Sequence, residues 1–108
     1  MSRYTRMKVI CFFDLPTETN DEKRAYRNFR KILIENGFFM LQYSVYVRTC
    51  PNRVFAKKYI PKLKAKAPAI GSIRFLIVTE KQYDDMVIIL GDKSAQEIIS
   101  TEERIIVI

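Results

Sequence analysis

Apolar and polar positions alternate along this chain in three different periods, and each period predicts an element. Val9, Ile10, Cys11, Phe12 and Phe13 are consecutive apolar residues of β-preferring type. The run from Met7 to Phe13 therefore predicts a strand buried on both faces. Asp14 closes it, and Leu15-Pro16-Thr17 turns the chain because Pro16 cannot extend a ladder; the carboxylate is left at the rim of a sheet. Taking about 100° per residue, Glu22, Ala25, Tyr26, Phe29, Ile32, Leu33 and Asn36 lie within about 60° of one line, the core-facing stripe of a helix. Asn36-Gly37 stops that helix, since glycine tolerates the left-handed conformation. Phe38 to Thr49 runs extended. Phe39, Leu41, Tyr43, Val45 and Val47 project to one face, and Phe38, Met40, Gln42, Ser44, Tyr46 and Arg48 to the other. Its length predicts a break or bulge near Gln42 to Ser44. A second helix starts around Asn52, with Phe55, Tyr59 and Leu63 four apart, and Pro61 is expected to kink it or end its first part. A strand over Ile73 to Thr79, a turn or helical turn over Glu80 to Asp84, and a further strand over Met86 to Leu90 follow. Gly91 to Thr101 is polar, and Arg104-Ile105-Ile106-Val107-Ile108 is an apolar, β-prone tail.

The order strand, helix, long or split strand, helix, strand predicts an α+β fold, a ferredoxin-like βαββαβ sandwich with two helices on one antiparallel sheet and an extra C-terminal strand. Residues 1–90 form the ferredoxin-like domain, and residues 91–108 form a linker and a dimerising strand. The loop of about ten residues before the tail lets it reach a neighbouring subunit's sheet edge, which predicts a homodimer with exchanged C-terminal strands.

Composition narrows the class. A chain of 108 residues buries roughly two-thirds of its unfolded surface, enough for one modest core. With 48% hydrophobic residues and only three glycines it is not a low-complexity chain. No apolar stretch reaches membrane-spanning length, and Arg3, Arg6 and Lys8 precede no long apolar core with a cleavage site, so a cytoplasmic location without membrane association is expected. Cys11 and Cys50 lack CxxC spacing and argue for neither a metal site nor a disulfide framework.

The net charge of +7 is unevenly spread. From Asn36 through Thr79 there is no acidic residue, while Arg48, Arg53, Lys57, Lys58, Lys62, Lys64, Lys66 and Arg74 all fall there; from Glu80 onward acids predominate. Such asymmetry suits a cationic surface for polyphosphate. On the first helix Lys23, Arg24, Arg27, Arg30 and Lys31 lie opposite the apolar stripe, with Ile34 among them. An ordinary solvated face is the bland reading, but such faces usually mix signs four residues apart. Arg53, Lys57 and Lys64 line the outward side of the second helix. No Gly-rich phosphate loop or paired base-stacking motif occurs, which favours contact with the nucleic-acid backbone. Phe12, Phe29, Tyr43, Phe55, Tyr59 and Phe75 sit at core-periodic positions and read as core.

Asp14 has two readings. It is either a turn or capping residue, or a metal ligand at a strand end. Mg²⁺ is often held by one or two carboxylates, with water and phosphate oxygens completing the shell. One aspartate per chain is a poor site, and two Asp14 side chains across a dimer axis make a better one. Histidine is absent, so hydrolysis would rely on metal-bound hydroxide or a carboxylate.

Phe13-Asp14-Leu15-Pro16, Tyr26-Arg27-Asn28-Phe29-Arg30-Lys31, Gly37-Phe38 and Leu41-Gln42-Tyr43-Ser44-Val45-Tyr46, in this order and spacing, resemble the small second core protein of CRISPR adaptation, a family labelled CRISPR-associated endoribonuclease. The resemblance spans essentially the whole chain, and its forms of the first and last motifs are most similar to members from type II systems. It implies a ferredoxin-like homodimer that joins the CRISPR integrase of the same locus. There it bridges two integrase dimers and holds the middle of a double-stranded DNA protospacer on a basic surface. Some members also hydrolyse RNA or duplex DNA with Mg²⁺ or Mn²⁺, one ion per dimer, using the strand-end aspartate of each subunit; Asp14 is the matching position. Lys23 and Arg24 lie where some members carry catalytic or substrate arginines and are taken as phosphate-binding candidates. Ser44 matches the family's motif serine, with a structural or a chemical role.

Three functions follow: a duplex-DNA-binding adaptor of spacer acquisition, with metal-dependent endonuclease activity as an accessory; a stand-alone metal-dependent endoribonuclease cleaving single-stranded RNA; and a ferredoxin-like RNA-binding or regulatory module with neither activity. Asp14 discriminates the first two.

Overall fold

A computed structural model describes residues 6–91. The elements are β1 (Met7–Asp14), α1 (Asn20–Glu35), β2 (Phe39–Gln42), β3 (Val45–Cys50), α2 (Arg53–Ala65), β4 (Ser72–Thr79) and the short α3 (Glu80–Asp84). The sheet runs β2-β3-β1-β4 with every neighbouring pair antiparallel. This is the expected ferredoxin-like βαββαβ sandwich. Segment 92–108, with the expected dimerising strand Arg104 to Ile108, lies outside the described residues. Among the described residues no helix is long and apolar enough to cross a membrane.

The period-two alternation of β1 sorts its side chains between two clusters. Val9, Cys11 and Phe13 pack with Phe29 and Leu33 of α1, Ala56 and Leu63 of α2, and Tyr46 and Cys50 of β3. Both helices therefore cover the same side of the sheet. Full burial of Phe29, Leu33 and Leu63 contributes about 1.5–3 kcal/mol each. Ile10 points the other way and meets Val47 and Tyr83, with Phe39, Leu41, Val45 and Val78 around them. Only α3 packs on this second side, which is otherwise open; Phe12 and Leu76 are 39% and 49% exposed there.

Local signals explain the helix ends. Thr19 caps α1 in a reciprocal capping box with Glu22. The Glu22 carboxyl is held below its ordinary range, chiefly by the hydrogen bond donated by the Thr19 backbone N–H. Gly37 takes φ +86° just past α1, and a Cβ there would lie 3.0 Å from an Arg48 guanidinium nitrogen. Arg48 donates to the Asn36 carbonyl at the end of α1 and lies 4.2 Å from the Tyr59 ring centroid on α2. Asn52 caps α2, which starts where expected, around this residue.

The break expected near Gln42 to Ser44 is a hairpin turn: β2 and β3 pair with each other on either side of Tyr43 and Ser44, with a register shift between Met40 and Gln42. Two expectations are corrected. Pro61 does not end α2, which continues to Ala65. Pro61 and Lys57 lie on the exposed side of the helix, where water can take up the carbonyl that proline leaves without a donor. Met86 to Leu90 forms no strand. Its β propensity has no ladder partner in the described chain, and Val87, Ile89 and Leu90 are 75%, 89% and 95% exposed.

Candidate nucleic-acid interface and carboxylate site

Asp14 ends β1 opposite Ser72 of β4, exposed at the rim and, by alternation with Lys8, Ile10 and Phe12, on the open side. The loop entering β4 fits closely against this strand end. Gly71 adopts φ +122°, and a Cβ there would stand 2.6 Å from Leu15 Cδ2 and 2.9 Å from the Asp14 carbonyl oxygen. Only glycine accepts both the backbone angle and the approach. Asp14 is the last residue of β1, where the chain leaves the sheet, and the N-caps of α1, α2 and α3 are Thr19, Asn52 and Thr79, so Asp14 caps none of these helices.

A shallow concavity of about 280 Å³ opens beside Asp14, lined among others by Phe12, Tyr43, Ser44, Ser72 and Arg74. It holds hydroxyls, one carboxylate and one guanidinium. Among the described residues no three His, Cys, Asp or Glu side chains converge. The donors of a single chain thus fit a magnesium-type ion only in part, and a second carboxylate or substrate phosphate oxygens would have to complete the shell.

Ser44 lies in the hairpin turn with φ +61°, an angle uncommon outside glycine. Its carbonyl accepts the Phe13 N–H at 3.0 Å, and its hydroxyl lies 3.5 Å from the Tyr26 phenol. These contacts tie the hairpin tip to the end of β1, which gives the motif serine a structural role. Cys11 and Cys50 are fully buried. Burial pushes the Cys11 thiol up to about 12 and raises Cys50 as well, so neither serves as a nucleophile.

The basic candidates lie in the other layer. Lys23, Arg24, Arg27, Arg30 and Lys31 are exposed on α1, and Arg53, Lys57 and Lys64 on α2. The fold brings them to the helical side and does not bring them to Asp14. Acids are more interleaved than the sequence pattern predicts: Asp21 lies 3.9 Å from Arg24 and Glu35 lies 3.8 Å from Lys31. Both pairs are exposed and weak. Arg30 is oriented by a 2.6 Å hydrogen bond from its Nε to the Tyr46 hydroxyl. Arg48, part of the same basic block, is instead occupied in joining α1 to α2.

The aromatic reading needs two corrections. Phe29 is buried and Phe55, Tyr59 and Phe75 pack against the core, but Phe12 and Tyr43 do not, being 39% and 74% exposed. Phe12 lies on the open side near the end of β1, where no layer covers the ring, and Tyr43 lies in the β2–β3 turn, outside the alternation. Tyr43 instead stacks on Tyr26, with ring centroids 6.0 Å apart. Tyr26 packs on Phe13, which stacks on Tyr46. Hydrogen bonding with the Tyr26 phenol raises the Tyr43 hydroxyl. Pattern alone does not place Tyr43, Arg74 and Gly71 at this site; the only sequence cues are a glycine before a strand and an aromatic in a turn.

Comparison with known proteins agrees with this fold. A crystal structure titled as that of cas2 superposes with a TM-score of 0.58 at 18% identity, covering 84% of this chain and 93% of that one, a likeness of fold. The CRISPR-associated endoribonuclease Cas2 of Ligilactobacillus salivarius (strain UCC118) is 45% identical over 94% of this chain and 100% of its own. That of Campylobacter jejuni subsp. jejuni serotype O:2 is 40% identical over 92% of this chain and 69% of its own. Residues 7–86 match the family model described as CRISPR associated protein Cas2. With the sandwich, the strand-end aspartate and these matches together, the chain belongs to the CRISPR-associated Cas2 family.

Proposed function

We propose that the chain acts as a homodimeric adaptor of CRISPR spacer acquisition, holding duplex DNA on its helical layer between integrase dimers, with Asp14 supporting a separate metal-dependent hydrolysis. The observation that carries this reading is the division of the fold into two chemically different sides. The candidate cations stand on the helices, whereas the open side of the sheet carries exposed Phe12 and Leu76 and ends in Asp14. Two copies meeting by their open sides would bury that apolar surface and turn both basic helical layers outward, where a duplex backbone can lie along them. The same arrangement would bring two Asp14 carboxylates toward one axis.

At that axis the paired carboxylates would hold Mg²⁺ or Mn²⁺ together with phosphate oxygens of the substrate. A divalent ion bound there lowers the pKa of a coordinated water and offsets charge on the phosphate. Arg74, in the same concavity, is placed to hold a phosphodiester against the carboxylates. With no histidine in the chain, Asp14 is also the candidate to accept a proton. The names of the relatives, endoribonucleases, favour a second reading, a stand-alone endoribonuclease.

Asp14→Asn separates the two. The substitution keeps size and hydrogen bonding but removes the charge that holds the ion. Metal-dependent cleavage of RNA or duplex DNA is expected to disappear while spacer acquisition in cells persists. Loss of acquisition, with dimerisation, DNA affinity and integrase binding intact, would replace the adaptor with the enzyme.

A further inference from the structure

Tyr43 is the more exposed of the two exposed aromatics, with Phe12, that line the concavity beside Asp14, and its surroundings fix it rather than hide it. The ring is 74% exposed, yet one face stacks on Tyr26 with an interplanar angle of 22°. The neighbouring residue is held in its left-handed turn by the bond from the Phe13 N–H to the Ser44 carbonyl. A ring fixed on one face and open elsewhere loses little conformational freedom when a second planar group binds. Tyr43 also lines the concavity that holds Asp14 and Arg74. Through Tyr26, Phe13 and Tyr46 it belongs to the aromatic stack that ends at the Arg30 guanidinium. It therefore stands between the basic flank of α1 and the carboxylate.

We propose that Tyr43 is a stacking platform for one unpaired nucleobase, so that the concavity takes a single nucleotide with its base against Tyr43 and its phosphate toward Arg74 and Asp14. Every base presents a π-face, so the site selects strandedness rather than sequence or sugar. Duplex held on the helical layer offers no such base unless an end is frayed. This inference rests on the proposed nucleic-acid function and names the substrate form that reaches Asp14.

The test measures equilibrium binding of short single-stranded RNA, single-stranded DNA and duplex DNA to the wild-type chain, Tyr43→Ala and Tyr43→Phe. Tyr43→Ala is expected to weaken both single strands by roughly five- to a hundredfold, the range for removal of one base stack, and to leave duplex affinity unchanged. Tyr43→Phe, which keeps the ring, is expected to restore single-strand binding. Equal weakening of duplex and single strands, or single-strand affinity unaffected by Tyr43→Ala, would overturn the platform while leaving the adaptor standing. A wild-type chain that binds no form of nucleic acid would overturn the adaptor and the platform together.

Discussion

Gly71 shows how one residue without a functional group can define a site. Its φ of +122° and its approach to the Asp14 carbonyl and Leu15 side chain let the loop before β4 close on the end of β1. Gly71→Ala combines a disfavoured backbone angle with a clash against backbone, so it is expected to destabilise the fold by about 1–3 kcal/mol. Thermal unfolding would register this as a fall of roughly 4–8 °C per kcal/mol, and an unchanged midpoint would show that the loop relaxes freely. At this scale the sequence was legible for Asp14, because an apolar run followed by Leu15-Pro16 has few other outcomes. It was not legible for Phe12 or Tyr43. Periodicity reports which face a side chain takes, but not whether another layer reaches that far along the strand.

Elements were more legible than the contacts joining them. The α1 stripe is as the periodicity predicts, with Phe29 and Leu33 buried and Tyr26 and Ile32 packed beside them. The break between β2 and β3 falls within the expected Gln42 to Ser44, but its form as a tight hairpin was not legible, because Tyr43-Ser44 lacks the Asn-Gly or Gly-X pair that announces a two-residue turn. Met86 to Leu90 misled for the opposite reason: β propensity is a property of the segment, but a strand needs a neighbour. Arg48 is the clearest element-scale joint. It reads as one more cation of a basic block, yet it bonds the last turn of α1 and lies over Tyr59 and Phe55 of α2. Arg48→Lys keeps the charge and loses the planar fork and its stacking. A loss of about 1–2 kcal/mol is expected, seen as a lower urea midpoint with an unchanged slope. No change in midpoint would mean that the contacts with Asn36 and Tyr59 hold nothing together.

For the whole molecule the governing feature is where the layers carry their charge. A ferredoxin-like sandwich has one side covered by helices and one side left open, and this chain places the exposed cations of α1 and α2 on the covered side, while Asp14 stands with Arg74 at the end of the open one. On the proposed function binding and hydrolysis would be separable, and substitutions in one layer should leave the other intact. The net charge of +7 suits the proposed polyanionic partner, while naming a side of the fold for that proposed contact needed the three-dimensional arrangement. The central claim, that the helical layer holds a duplex through its backbone, is tested most directly by the salt dependence of binding. Lys23→Ala combined with Arg27→Ala suits the test better than Arg30, whose guanidinium also holds Tyr46. Affinities for unrelated duplexes, measured over a range of salt concentrations, should fall alike for every sequence, and the log–log slope should become shallower by about 0.9 for each phosphate no longer neutralised. An unchanged slope, or a weakening confined to one sequence, would contradict the account.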